Sequence, residues 1–269
     1  MKLSFSTLSC PDWSFRDIYA TAADLGYNGI EIRGIADEIY APKIQVFSDE
    51  MLESTKEQLS RHSLEFPVLT TGAYILDNPD KDAVRTEVED YSALASKLGV
   101  KYIRLLIEKT PEPGITNPNI DAAIPEFRAL CDLAARFGVT ILTETNGALA
   151  DTKKCRAFLD AVGRENCGVI WDPHHPIRYF GESPAESVLN IGKYIKHVHL
   201  KDSVMGTNGK VTYLMTGYGT MPFPAIINAL RQIGYDGYLS YEWVKRWSRE
   251  LAEPGVALHQ YINYMRELI

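Results

Sequence analysis

The amino-acid sequence predicts one domain, residues 1–269, folded as a single (β/α)8 barrel of the α/β class. Three observations carry this. A helix–glycine–strand junction recurs along the chain, eight short and almost continuously apolar stretches alternate with longer helical patterns, and no Gly/Ser/Pro-rich linker interrupts them. The length of 269 residues also matches the roughly 250 that such a barrel takes. A doubly wound open sheet would be built from the same units, but no G-x-G-x-x-G follows the first strand to support it.

Each element has a local reason. The first apolar strand lies near 3–7, and Ser14-Phe15-Arg16-Asp17 starts a helix over 14–25. Leu25-Gly26-Tyr27 ends that helix and leads into a strand at 28–32, because glycine accepts the left-handed conformation just past a helix end. Ser48-Asp49-Glu50 opens a helix over 48–62, followed by a strand at 65–70 and a helix over 80–98. The junction returns as Leu98-Gly99-Val100 before a strand at 101–107, and as Phe137-Gly138-Val139 between a helix over 119–137 and a strand at 139–144. A helix over 151–162 and a strand at 167–172 come next. Ser183-Pro184-Ala185-Glu186 combines a Ser cap, a Pro at the first helical position and a Glu closing a capping box for a helix over 183–191. The last units are a strand at 195–200, a helix over 222–233, the junction Ile233-Gly234-Tyr235, a strand at 238–242 and a helix over 250–268. The longest non-repetitive stretches, 33–47, 108–118 and 201–221, all follow strands, where a barrel keeps its active-site loops. The last contains the hairpin-type turn Gly206-Thr207-Asn208-Gly209-Lys210.

Composition narrows the function. With 45% apolar and 23% charged residues, the chain is an ordinary globular protein, which excludes disordered, collagen-like and disulfide-framework classes. A formal charge of −7 repels a polyanion, so no nucleic-acid partner is expected. No run approaches the roughly 18 apolar residues of a membrane span, so no membrane partner is expected either. Met1-Lys2-Leu3-Ser4 enters a strand pattern without the apolar core of a secretory signal. Cys10, Cys131, Cys155 and Cys167 lack any C-x-x-C spacing and read as reduced thiols of a cytoplasmic protein.

Four strands end in a residue able to bind metal: Glu144, Asp172, His199 and Glu242 close the strands at 139–144, 167–172, 195–200 and 238–242. Each alone also reads as a strand-terminal cap or a surface charge. Together, on consecutive strands of a barrel, they converge on the C-terminal rim, where three carboxylates and an imidazole repel unless a cation neutralises them. Asp172-Pro173-His174-His175 adds an imidazole three residues after the aspartate, on the loop above the metal. His197 sits one layer deeper than His199 and reads as a core histidine, His174 stays open, and His62 and His259 lie on helical segments as surface or packing residues. Lys201 reads as a substrate contact or a solvated loop lysine. Arg33 and Arg104 lie in apolar strands, where an unpaired charge is expensive; each either binds substrate at the mouth or pairs with a carboxylate such as Glu31 or Glu108. Trp13, Tyr74, Trp171 and Trp243 read as pocket walls or as core packing.

Trp171-Asp172-Pro173-His174-His175, His197-Val198-His199-Leu200-Lys201-Asp202, Tyr241-Glu242-Trp243 and Gly29-Ile30-Glu31-Ile32-Arg33 resemble the xylose-isomerase-like barrel superfamily. That group contains sugar isomerases and epimerases, hydroxypyruvate isomerase, inosose and dehydroshikimate dehydratases, and the type IV apurinic endonucleases. The resemblance spans essentially the whole chain in strand order. It implies that Glu144, Asp172, His199 and Glu242 are divalent-metal ligands and that His175 contacts substrate. The endonuclease branch needs histidines that Leu69–Tyr74, Ile103–Glu108 and Lys201–Lys210 do not supply.

An oxygen-rich shell for one ion suits Mn²⁺ first, with Mg²⁺, Zn²⁺, Fe²⁺ or Co²⁺ as alternatives. Such a site suits proton abstraction beside a carbonyl through a metal-stabilised enediolate, with Glu144 and Glu242 as the catalytic acid and base on opposite faces. The expected activity is isomerisation or epimerisation of a small keto-sugar or keto-polyol, a carbohydrate substrate contacted by His175, Lys201 and Arg104. The alternative is a lyase that dehydrates an inosose-like or dehydroshikimate-like ketone or eliminates from a 3-keto glycoside. No Gly-rich phosphate cradle is present, which favours a non-phosphorylated substrate. The reading admits a homo-oligomer.

Overall fold

The computed structural model describes residues 1–110, 112–113 and 118–269. Residues 111 and 114–117 of the long loop expected at 108–118 lie outside the described residues. In chain order the elements begin with β1 (Lys2–Ser6), α1 (Phe15–Leu25), β2 (Gly29–Glu31), α2 (Leu52–Arg61), β3 (Leu69–Tyr74) and α3 (Lys81–Leu98). They continue with β4 (Tyr102–Leu106), α4 (Ile124–Ala135), β5 (Thr140–Glu144), α5 (Thr152–Val162), β6 (Cys167–Trp171), α6 (His174–Phe180) and α7 (Pro184–Ile191). The last are β7 (Ile195–Leu200), β8 (Asp202–Met205), β9 (Val211–Leu214), α8 (Phe223–Gln232), β10 (Tyr238–Tyr241) and α9 (Pro254–Arg266).

The local signals act as expected at most boundaries. The junction glycines Gly26, Gly99, Gly138 and Gly234 all have positive φ, between 66 and 74°, the left-handed turn that glycine adopts without a Cβ clash. Both halves of the capping box form at Ser14/Asp17 and at Ser183/Glu186. Three expectations need correction. The strand expected at 65–70 is displaced to Leu69–Tyr74: Glu65 lies in an isolated parallel bridge to Gly29 and not in a strand, and Pro67 has no N–H with which to carry a ladder onward. The helix expected from residue 48 begins at Leu52, because Ser48 is extended and a turn intervenes. The helix expected from residue 250 begins at Pro254, because Lys245 Nζ donates to the carbonyls of Arg249 (3.1 Å) and Leu251 (2.7 Å) and holds that stretch in turns.

Two compact units make up the chain: residues 1–67 with 198–269, and residues 68–197. In the first, parallel strands pair in the order β2-β1-β10-β7, with Ser4 opposite both Gly29 and Ser240, and Ser240 opposite His199. An aromatic column backs these strands. The rings of Tyr241 and Tyr261 stack at 4.4 Å, flanked by Trp243 and Tyr27. The Tyr261 and Tyr27 hydroxyls donate to the carbonyls of Leu239 and Leu258, which satisfies them in the core. Burial pushes the phenols of Tyr27, Tyr241 and Tyr261 up, so they stay neutral.

The second unit pairs β3-β4-β5-β6 in parallel, with Arg104 opposite Leu142 and Glu144 opposite Ile170. Val68, Leu142 and Ile170 are fully buried together, with Tyr102 packed against them. All four cysteines are buried and unpaired, and desolvation pushes the thiols of Cys10, Cys131 and Cys155 up. No helix among the described residues is long and apolar enough to cross a membrane.

The hairpin turn read from Gly206–Lys210 is real: β8 and β9 pair antiparallel around it. Asp202, at its base, is fully buried and accepts from the backbone N–H groups of Ser203 (2.8 Å), Gly217 (2.8 Å), Gly219 (2.9 Å) and Met221 (3.1 Å). A Cβ at Gly219 would overlap that carboxylate, so glycine is what lets the loop close on it. Asp202→Ala strands these donors in the interior and is expected to destabilise the protein by about 2–4 kcal/mol. The check is the urea midpoint; an unchanged midpoint would contradict this role for Asp202.

Candidate metal centre

The second unit positions two of the expected ligands. Arg104 pairs in register with Leu142, and side chains two apart on a strand share a face, so Arg104 and Glu144 meet. Arg104 Nη1 donates to Glu144 Oε2 at 2.9 Å, and Nη2 donates to Thr71 O at 3.1 Å. Thr71 in turn donates to Arg104 O at 2.7 Å. The sequence leaves Arg104 to bind substrate or to pair with a carboxylate such as Glu31 or Glu108; the structure pairs it with the carboxylate of Glu144, which strand register brings alongside.

Asp172 follows the last residue of β6. Its backbone is clasped by Thr145, whose Oγ1 accepts from Asp172 N (2.8 Å) and donates to Asp172 O (3.0 Å). Its carboxylate lies at the start of α6. Oδ1 accepts from His174 N at 3.0 Å, and Oδ2 lies 3.3 Å from His175 Nε2. Asp172-Pro173-His174-His175 therefore leads into a helix, where a loop is expected from sequence; an aspartate and a proline just ahead of the first helical residue are the available signal. The His175 ring stacks on Tyr179 at 5.9 Å. One carboxylate oxygen from each of Glu144 and Asp172 falls within 4.8 Å of the other, and both residues are buried.

The first unit positions the other two. Ser240 pairs with His199 in register, and Glu242 N donates to Leu200 O at 2.9 Å, which carries Glu242 one step past β10 beside β7. His199 Nδ1 lies 3.3 Å from Glu242 Oε1, and Lys201 Nζ donates to Glu242 Oε2. Lys201 is 4% exposed, so it is not a solvated loop lysine. On its other side, His199 Nε2 lies 3.0 Å from Glu31 Oε2, which also accepts from Ser240 Oγ at 2.8 Å.

These groups fit a divalent cation. Both ring nitrogens of His199 face carboxylate oxygens, Nε2 that of Glu31 at 3.0 Å and Nδ1 that of Glu242 at 3.3 Å. Two donors about 2.1 Å from one ion lie roughly 3.0–3.4 Å apart, and the 3.3 Å between Nδ1 and Oε1 falls in that range. Two buried carboxylates as close as Glu144 and Asp172 also favour a shared positive charge.

Among the other residues weighed from sequence, His174 and His197 are buried, whereas His62 and His259 are exposed. Arg33 Nη1 donates to Ile39 O, and its guanidinium lies 5.8 Å from the exposed Trp247 ring. Trp171 and Trp243 are core residues, while Trp13 and Tyr74 are partly exposed. Glu31 is the residue that sequence reasoning passes over. There it stands only as part of a motif and as a partner for an arginine, although a glutamate between Ile30 and Ile32 in a buried strand demands a polar partner.

A family model described as a xylose isomerase-like TIM barrel matches residues 19–268. The chain is 25% identical over 228 residues to the inosose isomerase of Bacillus velezensis, a match that covers 81% of this chain and 79% of that protein. It is 28% identical over 254 residues to the L-ribulose 3-epimerase of a Methylomonas species, covering 90% and 83% of the two chains. The crystal structure of the IOLI protein with a bound zinc atom superposes with a TM-score of 0.79 at 21% identity, over 100% of this chain and 99% of that one. That likeness shows the fold, and the (β/α)8 barrel expected from the sequence is the fold observed.

Proposed function

The chain belongs to the xylose isomerase-like TIM-barrel family, and on that premise we propose that it is a divalent-metal-dependent isomerase or epimerase of a small keto-sugar or keto-polyol. Its relatives include isomerases and epimerases. The observation that carries the reading is a pair of buried strand-end glutamates. Glu144 and Glu242 each have one oxygen held by a cationic side chain, Arg104 or Lys201, and each lies beside another metal-type donor, Asp172 or His199.

Consecutive strands of a (β/α)8 barrel are neighbours, which supports joining the two pairs into one centre within a single domain of residues 1–269. Glu144, Asp172, His199 and Glu242 would hold the ion. Three carboxylates and one imidazole favour Mn²⁺, with Mg²⁺, Zn²⁺, Fe²⁺ or Co²⁺ as substitutes; the zinc atom in the IOLI structure supports a divalent ion. Bound there, the cation supplies polarisation of a substrate carbonyl and the hydroxyl beside it.

Everything else falls to the chain itself. One glutamate removes the proton on the carbon next to the carbonyl, and the other delivers a proton to the opposite face of that carbon; in an isomerisation the proton goes instead to the former carbonyl carbon, and the hydroxyl proton passes to the former carbonyl oxygen. Arg104 and Lys201 keep the two carboxylates in one orientation and donate to substrate oxygens, and His175 contacts a substrate hydroxyl while it steadies Asp172. The four unpaired, buried cysteines support a reducing, cytoplasmic setting.

The test is a panel of ketoses and keto-cyclitols incubated with the Mn²⁺-loaded enzyme in D₂O and followed by proton NMR and ultraviolet absorbance. Deuterium appearing beside the carbonyl of an isomerised or epimerised product is the expected result. An ultraviolet-absorbing elimination product would replace this reading with a lyase. Tight binding without exchange of any substrate proton would replace it with a non-catalytic sugar-binding protein.

A further inference from the structure

We infer that Glu31 is a positioning residue for the proposed metal centre, orienting the His199 imidazole so that Nδ1, and not Nε2, is the nitrogen offered to the ion. The inference rests on the reading of His199 as a ligand and adds a residue to it.

Glu31 is the last residue of β2 and is fully buried. A carboxylate placed there is costly unless charge-assisted hydrogen bonds hold it. Its Oε2 has two such partners in the same unit, His199 Nε2 at 3.0 Å and Ser240 Oγ at 2.8 Å. Both come from the sheet beside it. β1 pairs with β2 and with β10, β10 pairs with β7, and Ser240 lies opposite His199. Glu31 thus spans the sheet to reach an imidazole 168 residues away in sequence.

The consequence for His199 is chemical. An imidazole has two nitrogens, and a neutral ring carries one proton. With an ion held on the Glu242 side of the ring, Glu31 is the acceptor for Nε2, so that nitrogen keeps the proton and its lone pair is unavailable to the metal. Nδ1, 3.3 Å from Glu242 Oε1, is left as the donor. The carboxylate also restrains rotation of the ring and raises the basicity of the ligating nitrogen, as outer carboxylates do for metal-bound histidines. Ser240 holds the carboxylate in turn.

A purely structural role for Glu31 would show in stability but not in how His199 meets a metal, and the experiment separates the two. Purified wild type, Glu31→Gln, Ser240→Ala and His199→Ala are titrated with Mn²⁺ by calorimetry. The visible spectrum of each Co²⁺ form is recorded, and the protonated nitrogen of His199 is assigned by ¹⁵N NMR in the diamagnetic Zn²⁺ form. In the wild type, Nε2 is expected to carry the proton. Glu31→Gln keeps an acceptor oxygen but loses the charge, and is expected to weaken Mn²⁺ binding by about 10–100-fold and to shift the Co²⁺ spectrum. Ser240→Ala, which removes only a hydroxyl, is expected to weaken binding by a smaller factor in the same direction. It serves as the folded probe if Glu31→Gln does not fold. Wild-type Mn²⁺ affinity and an unchanged Co²⁺ spectrum in the folded Glu31 variant, or in the Ser240 variant where only that one folds, would overturn the role of Glu31 while the metal reading stood. Wild-type Mn²⁺ affinity in His199→Ala would instead overturn the metal reading itself.

Discussion

Glu144→Gln and Glu242→Gln are each expected to lower kcat by roughly 10²–10⁴-fold while changing substrate affinity little. The amide keeps an oxygen for the ion but has no basic site to take a proton. The loss therefore falls on the proton-transfer step, which substrate binding does not include. Arg104 and Lys201 each hold one oxygen of their glutamate, and the amide has a single oxygen to share between that cation and the ion. Metal content has to be measured for each variant, since a stripped centre imitates a catalytic defect. Near-wild-type exchange of the substrate proton for solvent deuterium in metal-loaded Glu144→Gln and Glu242→Gln would rule out the two-carboxylate mechanism.

The second large effect is on the metal. The purified protein is expected to carry about one divalent ion per chain, and the Asp172→Ala/His199→Ala double variant none. The substitutions remove one donor from each of the pairs Glu144/Asp172 and His199/Glu242, leaving two carboxylates that hold an ion weakly. Binding stabilises the folded state by about 2.7 kcal/mol when free ion is at one hundred times its Kd. Added Mn²⁺ should therefore raise the Tm of the wild type and leave that of the double variant where it was. Three ions per chain by elemental analysis, or an undiminished ion content in the double variant, would contradict a centre of this composition.

The ligand types are legible in the sequence because they sit where short apolar strands stop. Glu144 ends Thr140–Glu144 and His199 lies one residue from the end of Ile195–Leu200, while Asp172 and Glu242 follow β6 and β10 directly. A polar residue at the mouth of a buried strand stands out against its neighbours. Glu31 occupies the same kind of position, but nothing within a few residues of it bears on a metal. Its meaning comes from His199 and Ser240, more than 160 residues away. The short helix α6 escapes the sequence pattern for a different reason. A seven-residue helix has too few turns to display a periodicity, and its strongest signal, the aspartate before Pro173, reads equally well as a metal ligand.

By itself, the sequence determined what local forces decide. It set the alternation of strands and helices, the glycines that turn one into the next, the capping boxes at Ser14 and Ser183, the hairpin turn at Gly206–Lys210, and the chemical types available at the strand ends. The tertiary structure decided what depends on register and burial. It chose Glu144 as the partner of Arg104, removed Lys201 from solvent and set it against Glu242, shifted β3 beyond Pro67, and placed Glu31 behind His199. The physical reason is the range of the interactions. Caps and turns are satisfied within about four residues of chain, whereas a buried charge is satisfied by whichever partner the sheet brings alongside, however distant in sequence.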